Sequence, residues 1–292
     1  MKIAFLLALV SFSAFSAEVC TYKGKPTWEG KTGLVKCTTF QGTPIKEFQI
    51  KAGKQDGLQK TFYDGKVSSI AWFESPKYEP SMEITFNDYG DVERITCGKV
   101  AFTDQDKKFC GFEKPHEIIF KNFKSEVARK VIYKDGVIVY LETYFSSGKL
   151  KEKMTLEGNV KKTTIYHEDG TLSADSFEKD EKPVWEKEYF TENRLKTESN
   201  FIPEGANFIL GRKKYWKNGK LQEEAQLVPA GSWSKEFYVG EVKRYHENGQ
   251  LSSQENYDKR GDLEGISTFF DDDGTVVRKR TFSKNKLMKE EL

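Results

Sequence analysis

One phrase recurs along this chain and limits what the chain can fold into. It is an aromatic residue, three loosely specified residues, a Gly, one further residue and an aliphatic. It reads Tyr144-FSS-Gly148-K-Leu150, Tyr166-HED-Gly170-T-Leu172, Tyr189-FTE-Asn193-R-Leu195 and Tyr215-WKN-Gly219-K-Leu221. It continues as Tyr245-HEN-Gly249-Q-Leu251 and Phe270-DDD-Gly274-T-Val276. Earlier copies are Phe86-NDY-Gly90-D-Val92 and Ile132-YKD-Gly136-V-Ile138, and the first, Phe62-YD-Gly65-K-Val67, is one residue shorter. From Gly148 onward the pivots step by 22, 23, 26, 30 and 25 residues. A near-regular period of this size marks a stacked repeat architecture.

Each unit reads as a hairpin. Asp-Gly and Asn-Gly supply the positive φ that a tight turn requires, and Asn193 is the next most tolerant choice at the pivot. The column four before the pivot is aromatic or Ile, and the column two after it is Val, Ile or Leu. A three-residue loop ending in the pivot, with a bulge at the Gly, makes these columns cross-strand partners on one face. The shortened first unit calls for a two-residue turn. Two uniformly apolar columns on one face imply a core. A further apolar position lies six residues past the aliphatic, at Phe73, Leu156, Phe201, Leu227, Tyr257 and Phe282. Period-2 counting puts it on the same face. The column three before the pivot holds Asn87, Tyr133, Phe145, His167, Phe190, Trp216, His246 and Asp271, and points to the other face. The expected fold is all-β: an elongated antiparallel meander of hairpins that grows like other solenoids. No window carries a helical stripe, although the tail Lys286–Leu292 has room for a short helical turn.

Export is expected from the N-terminus. Met1-Lys2 precedes the apolar run Ile3–Val10, which is too short to span a bilayer, and small residues follow. Residues 1–17 therefore read as a cleavable signal peptide, which places the protein in the periplasm or outside the cell. No other segment reaches 18 apolar residues, so the chain is not expected to span a membrane. The four cysteines, Cys20, Cys37, Cys97 and Cys110, suit disulfides in an oxidising compartment. Three pairings are open. Short local loops favour Cys20–Cys37 and Cys97–Cys110. Spacings of 17 and 13, with no CxxC pair, speak against a metal site. The expected organisation is the signal peptide, a disulfide-bearing N-terminal cap over 18–60, and the repeat region over 61–292.

The phrases YWKNGKLQEE, YHENGQL and YFSSGKL resemble the bacterial MORN-repeat variant. The stretches Gly57-LQKTFYDG and Gly265-ISTFFDDDG resemble the MORN step of a Gly followed by an aromatic. The resemblance covers roughly residues 53–292, most clearly from 140 onward. Proteins carrying this repeat are often grouped as antitoxin-like, so the resemblance implies neutralising a partner by binding it.

Catalytic chemistry is hard to assemble from these residues. His167 and His246 occupy equivalent repeat positions and read as outward-facing strand residues; His116 stands apart. No Ser/His/Asp order and no GxSxG motif are present. Asp271-Asp272-Asp273-Gly274 lacks the alternating ligand spacing of a calcium loop and reads as a turn, and Asp104-Gln105-Asp106 is equally thin. With 47 Lys+Arg against 45 Asp+Glu, the net charge of +2 gives no case for nucleic acid. The 22 Phe, 13 Tyr and 5 Trp argue against disorder, so the aromatics deserve a role. Phe145, Phe190 and Trp216 form the candidate binding face, since ring faces stack on sugars or partner side chains. The expected function is that of an exported, non-enzymatic scaffold or immunity-type partner that binds a protein, with no cofactor and no metal. Binding of envelope polysaccharide or lipid through the aromatic face is the alternative, and a periplasmic enzyme or enzyme inhibitor the third.

Overall fold

The structure is a computed structural model that describes residues 18–75, 79–101, 103–122, 124–204, 207–230 and 232–292. The segment read as a signal peptide, 1–17, lies outside the described residues. The chain divides into two compact units. One takes in residues up to Ser125 together with Tyr133–Val137; the other takes in Glu126–Ile132 and Ile138–Leu292.

The first unit carries a seven-stranded antiparallel sheet in chain order. Its strands are β1 (Val19–Tyr22), β2 (Gly33–Thr38), β3 (Pro44–Lys51), β4 (Lys54–Tyr63), β5 (Lys66–Phe73), β6 (Met82–Phe86) and β7 (Val92–Cys97). Helix α1 (Asp104–Phe109) and strand β8 (His116–Lys121) follow. Alternation along β2 and β3 buries Val35, Cys37, Phe48 and Ile50, against which Cys20, Tyr22 and Trp28 pack. Cys20 is bonded to Cys37 between neighbouring strands, and Cys97 to Cys110 across α1. The boundary expected at residue 60 falls inside β4, because the turn that follows joins β4 to β5 within the same sheet.

The helix is absent from the expectation. Six residues are too few for a periodic stripe, but the local signal is present as a capping box. Thr103 Oγ1 accepts from the Asp106 amide at 3.1 Å, and Asp106 returns the bond to the Thr103 amide at 3.1 Å. This accounts for the carboxylates Asp104 and Asp106 as helix N-terminal residues.

The second unit is a meander in chain order: β9 (Val127–Lys134, shared with the first unit), β10 (Val137–Tyr144), β11 (Leu150–Glu157), β12 (Val160–Tyr166), β13 (Leu172–Lys179), β14 (Lys182–Phe190) and β15 (Arg194–Glu204). It continues through β16 (Asn207–Tyr215), β17 (Leu221–Ala230), β18 (Ser232–Tyr245), β19 (Leu251–Tyr257), β20 (Gly265–Phe270), β21 (Val276–Ser283) and β22 (Lys286–Glu291). The tail is thus a strand, not a helical turn, because Lys286–Glu291 pairs with β21. Neither sheet closes into a barrel: β1 and β7 end the first, and β22 ends the second.

The repeat phrase builds one turn repeatedly. In the Gly148 unit the Phe145 amide donates to Lys149 O at 2.8 Å and the Gly148 amide to Phe145 O at 2.9 Å. These bonds enclose a three-residue loop with Gly148 at φ 79°. The same pair of bonds closes the loops at Gly90, Gly170, Gly219, Gly249 and Gly274. Gly65 sits instead in a two-residue turn beside Asp64, both at positive φ. Gly136 departs from the three-residue expectation in the same way: Asp135 takes φ 51°, so Lys134 and Val137 are joined by Asp135-Gly136 alone.

The location of the core corrects the expectation. Tyr144 pairs with Leu150, Tyr166 with Leu172, Tyr189 with Leu195, Tyr215 with Leu221 and Tyr245 with Leu251. One residue further on, every register slips. Tyr215 faces Leu221 but Lys214 faces Glu223, so Gln222 is an extra residue. Lys151, Ser173, Lys196 and Ser252 are its equivalents. An extra residue inverts the alternation beyond it. Leu156, Phe201, Leu227 and Tyr257 therefore lie on the face opposite to their own repeat's aliphatic. That second face holds the core of Leu210, Ala225, Leu227 and Val242, with Phe201, Tyr238 and Tyr257 packed on it. The Tyr and Leu columns are only half-buried.

Candidate functional site: a groove on the repeat face

The cross-strand register writes two rows across the face that carries the core of the second unit, with Glu186 and Glu188 exposed and Ser199, Glu223 and Ala225 buried. One runs Ser176, Glu186, Ser199, Arg212, Ala225. The other runs Ala174, Glu188, Thr197, Lys214, Glu223, Arg244, Ser253. Small residues on β15, Thr197 and Ser199, separate the carboxylates of β14 from the cations of β16. They leave a depression between longer side chains. This is the floor of a groove of about 960 Å³. Phe201, Phe208, Leu210 and Pro229 line one end, and Phe190, Tyr215 and Trp216 the other. The Phe201 and Phe208 rings meet edge-on with centroids 5.0 Å apart.

Among the described residues, five of the eight charged side chains lining the groove are in ion pairs, and Glu186, Lys217 and Glu247 are not. Lys196 Nζ lies 3.2 Å from Glu188, and Arg212 is bonded to Glu236. Lys214 Nζ lies 2.9 Å from Glu223 Oε1, while Arg244 Nε (3.2 Å) and the Tyr238 hydroxyl (3.0 Å) both donate to Glu223 Oε2. Burial opposes the charge of Glu223, but Lys214, Tyr238 and Arg244 outweigh it and hold the carboxyl below its ordinary value. Arg244 also pairs with Glu255, whose Oε2 accepts from the Tyr257 hydroxyl at 3.1 Å. Glu186 differs. Among the described residues no cation lies within ion-pair distance of it. Partial desolvation, then the charges of Glu178, Glu188 and Glu236, push its carboxyl upward.

The turn end of this face is tied from repeat to repeat. Trp216 Nε1 donates to Tyr245 O at 3.1 Å, and His246 Nε2 lies 3.1 Å from Phe270 O. Asn218 Nδ2 donates to Glu247 O at 2.8 Å, and Asn248 Nδ2 to Asp272 O at 2.6 Å. His246 Nδ1 lies 3.0 Å from Asp272. His246 is therefore a half-buried strut between units, where an outward-facing residue was expected. The Nε2 of His167 is buried and carries no hydrogen bond. His116 stacks edge-on against Phe109 at 5.5 Å, and burial followed by Lys108 and Lys114 lowers its pKa.

Of the candidate aromatic face, Phe190 and Trp216 line the groove. Phe145 is on the same face by alternation but lies outside the groove, with Lys151 Nζ 5.9 Å from its ring centroid. The sequence reading missed Glu186, Glu188, Arg212 and Lys214. Their signal was present as Glu-x-Glu and Arg-x-Lys at period 2, each placing two like charges on one face. Charge pairs are so abundant here that the pattern did not stand out. Among the described residues, the one cluster of metal-ligating types is Glu18, Cys20 and Cys37. The two cysteines are bonded to each other, so neither offers a thiolate. No helix among the described residues is long and apolar enough to cross a membrane.

The strands that carry the groove also carry the recognisable repeat. Residues 212–228 and 238–259 match the family model described as MORN repeat variant. The matched stretches span the Gly219 and Gly249 turns, each with its slipped register. No curated protein matches the chain. Among solved structures, one described as TcdB2-TccC3-Cdc42 is similar at 11% identity with a TM-score of 0.18, covering 87% of this chain and 17% of that one. Another, the Photorhabdus luminescens Tc holotoxin pore with the TccC3-D651A mutation, is similar at 10% identity with a TM-score of 0.18, covering 88% and 18%. The chain thus spans less than a fifth of either.

Proposed function

We propose that this chain is a non-enzymatic binding scaffold that holds a partner protein in the groove of its MORN-variant face. The groove carries this reading, because apolar walls with fixed charges between them suit recognition of a surface segment. The MORN-variant match supports a repeat scaffold. Neutralisation of the partner, as an immunity-type protein would achieve it, is the form of scaffolding the proposal favours. The histidines support a role without catalysis, since His246 is spent on contacts between units and His116 packs on Phe109. We also propose that the protein is exported to the periplasm or beyond. The two disulfides and the apolar N-terminal run support this.

The test is affinity capture from envelope and secreted fractions with tagged protein, beside the groove variants Phe208→Ala and Phe190→Ala. A protein recovered stoichiometrically by the native chain and lost with either folded variant is the expected result. Recovery unaffected by both variants overturns the groove as the binding site. A second reading, binding of envelope polysaccharide, is favoured by the presence of Phe190 and Trp216 in the groove, since sugars stack on ring faces. Glycan-array binding that Phe190→Ala abolishes would select it.

A further inference from the structure

We propose that the groove selects a basic peptide: an extended segment of the partner protein whose Lys or Arg side chain places its cation against Glu186. The inference rests on the proposed scaffold function and specifies its ligand. Three observations converge on it.

First, Glu186 and Glu247 are the groove carboxylates without an ion pair among the described residues, and of the two Glu186 stands in the Ser199–Arg212 row, whereas Glu188 is held by Lys196 and Glu236 by Arg212. Arg212 stands two strands from Glu186 in the same row, about 9–10 Å away at the usual strand spacing, and is turned to Glu236. Partial desolvation, then the carboxylates of Glu178, Glu188 and Glu236, push the Glu186 carboxyl upward. A cation arriving there relieves this repulsion and forms an ion pair, and a neutral sugar does not. Second, Glu186 is flanked across both neighbouring strands by Ser176 and Ser199, so its carboxylate is open to a long side chain from above. Third, the groove runs with the strands. Phe208 and Trp216 line its two ends and are eight residues apart along β16, about 26 Å at strand rise. An extended segment of about eight or nine residues has this length. Its apolar side chains meet Phe201 and Phe208 at one end and Phe190 and Trp216 at the other.

The probe is a phage-displayed random nonapeptide library panned on the tagged native protein. Enriched peptides are then synthesised and titrated. The expected result is enrichment of sequences with a central Lys or Arg between apolar residues, with affinity reduced at least tenfold by Glu186→Gln. Replacing the peptide's basic residue by Glu should abolish binding to the native protein and restore it to Glu186→Lys. Glu186→Gln removes a like-charge contact, so its melting temperature should not fall, which separates lost recognition from lost folding. Peptides that lack a basic residue, or that bind Glu186→Gln equally well, overturn this inference. If Phe208→Ala still abolishes them, the scaffold reading survives. A library that yields no binder sensitive to Phe208→Ala overturns both.

Discussion

The indole of Trp216 donates its Nε1–H to the backbone carbonyl of Tyr245, 29 residues away, at 3.1 Å. His246 stands in the equivalent position of the next unit and places Nε2 3.1 Å from Phe270 O. Two chemically different side chains thus fill one structural slot. Each links the turn end of its own hairpin to the backbone of the aromatic that precedes the next turn. In a repeat sheet, where units contact only neighbours, such links set the coupling between units.

Trp216→Phe keeps the ring and removes the donor, leaving the Tyr245 carbonyl short of one partner. The expected cost is about 0.5–1.5 kcal/mol, the usual net value of one hydrogen bond. Urea denaturation read by circular dichroism measures it. An unchanged midpoint would show that the bond does not couple the units.

Gly219 takes φ 83°, and a Cβ built there meets nothing within 4 Å. Gly219→Val therefore isolates backbone strain from crowding and should cost about 1–2 kcal/mol. Gly211 lies mid-strand without positive φ, and its added Cβ makes ordinary contact with Ile202 at 3.7 Å. Gly211→Ala should be neutral or gain about 0.5 kcal/mol through reduced chain entropy. Equal effects of the two substitutions in thermal melts would refute the turn assignment.

Glu223 titrates below its ordinary value in the folded chain. Burial opposes its charge, and Lys214, Tyr238 and Arg244 more than compensate. A lowered folded pKa means that its stabilisation is complete above the unfolded carboxylate range, near 4.3. It is lost as pH falls through the folded value. Glu223→Gln should cost about 2–3 kcal/mol at pH 7, as charged hydrogen bonds do. The gap to the native protein should narrow as the pH is lowered below 4. A gap constant with pH would remove Glu223 from the acid response.

The Cys97–Cys110 bridge closes a loop of 13 residues. Chain entropy assigns such a loop about 3 kcal/mol. Replacing both cysteines with Ser should raise hydrogen exchange in β6 and β7, while β16 and β17 in the cysteine-free second unit keep their protection. Uniform loss of protection would show the two units unfolding together.

The turn chemistry was legible because it is local. An Asn or Gly pivot at positive φ and a three-residue loop are decided within five residues, and Gly148, Gly219 and Gly249 adopt that geometry. The pairing of Tyr215 with Leu221 follows from the same loop. The capping box of α1 was equally local but too short to stand out against a repeat read at period 2. Half of the candidate site was visible, since Trp216 and Phe190 could be placed on one face by counting from the pivot. Glu186 was not. A carboxylate without a counter-ion is a relation among β13, β14, β15 and β18, and no spacing within one strand records it.

By itself the sequence determined the hairpin, its period and its all-β class, because positive-φ pivots and alternating apolar positions act over a few residues. Only the tertiary structure decided which face became the core. The extra residue after each aliphatic, such as Gln222, inverts the alternation. That slip becomes visible only when Lys214 is paired with Glu223 across the strands. The turn belongs to one chain segment, whereas the groove and the surroundings of Glu186 belong to several strands brought together.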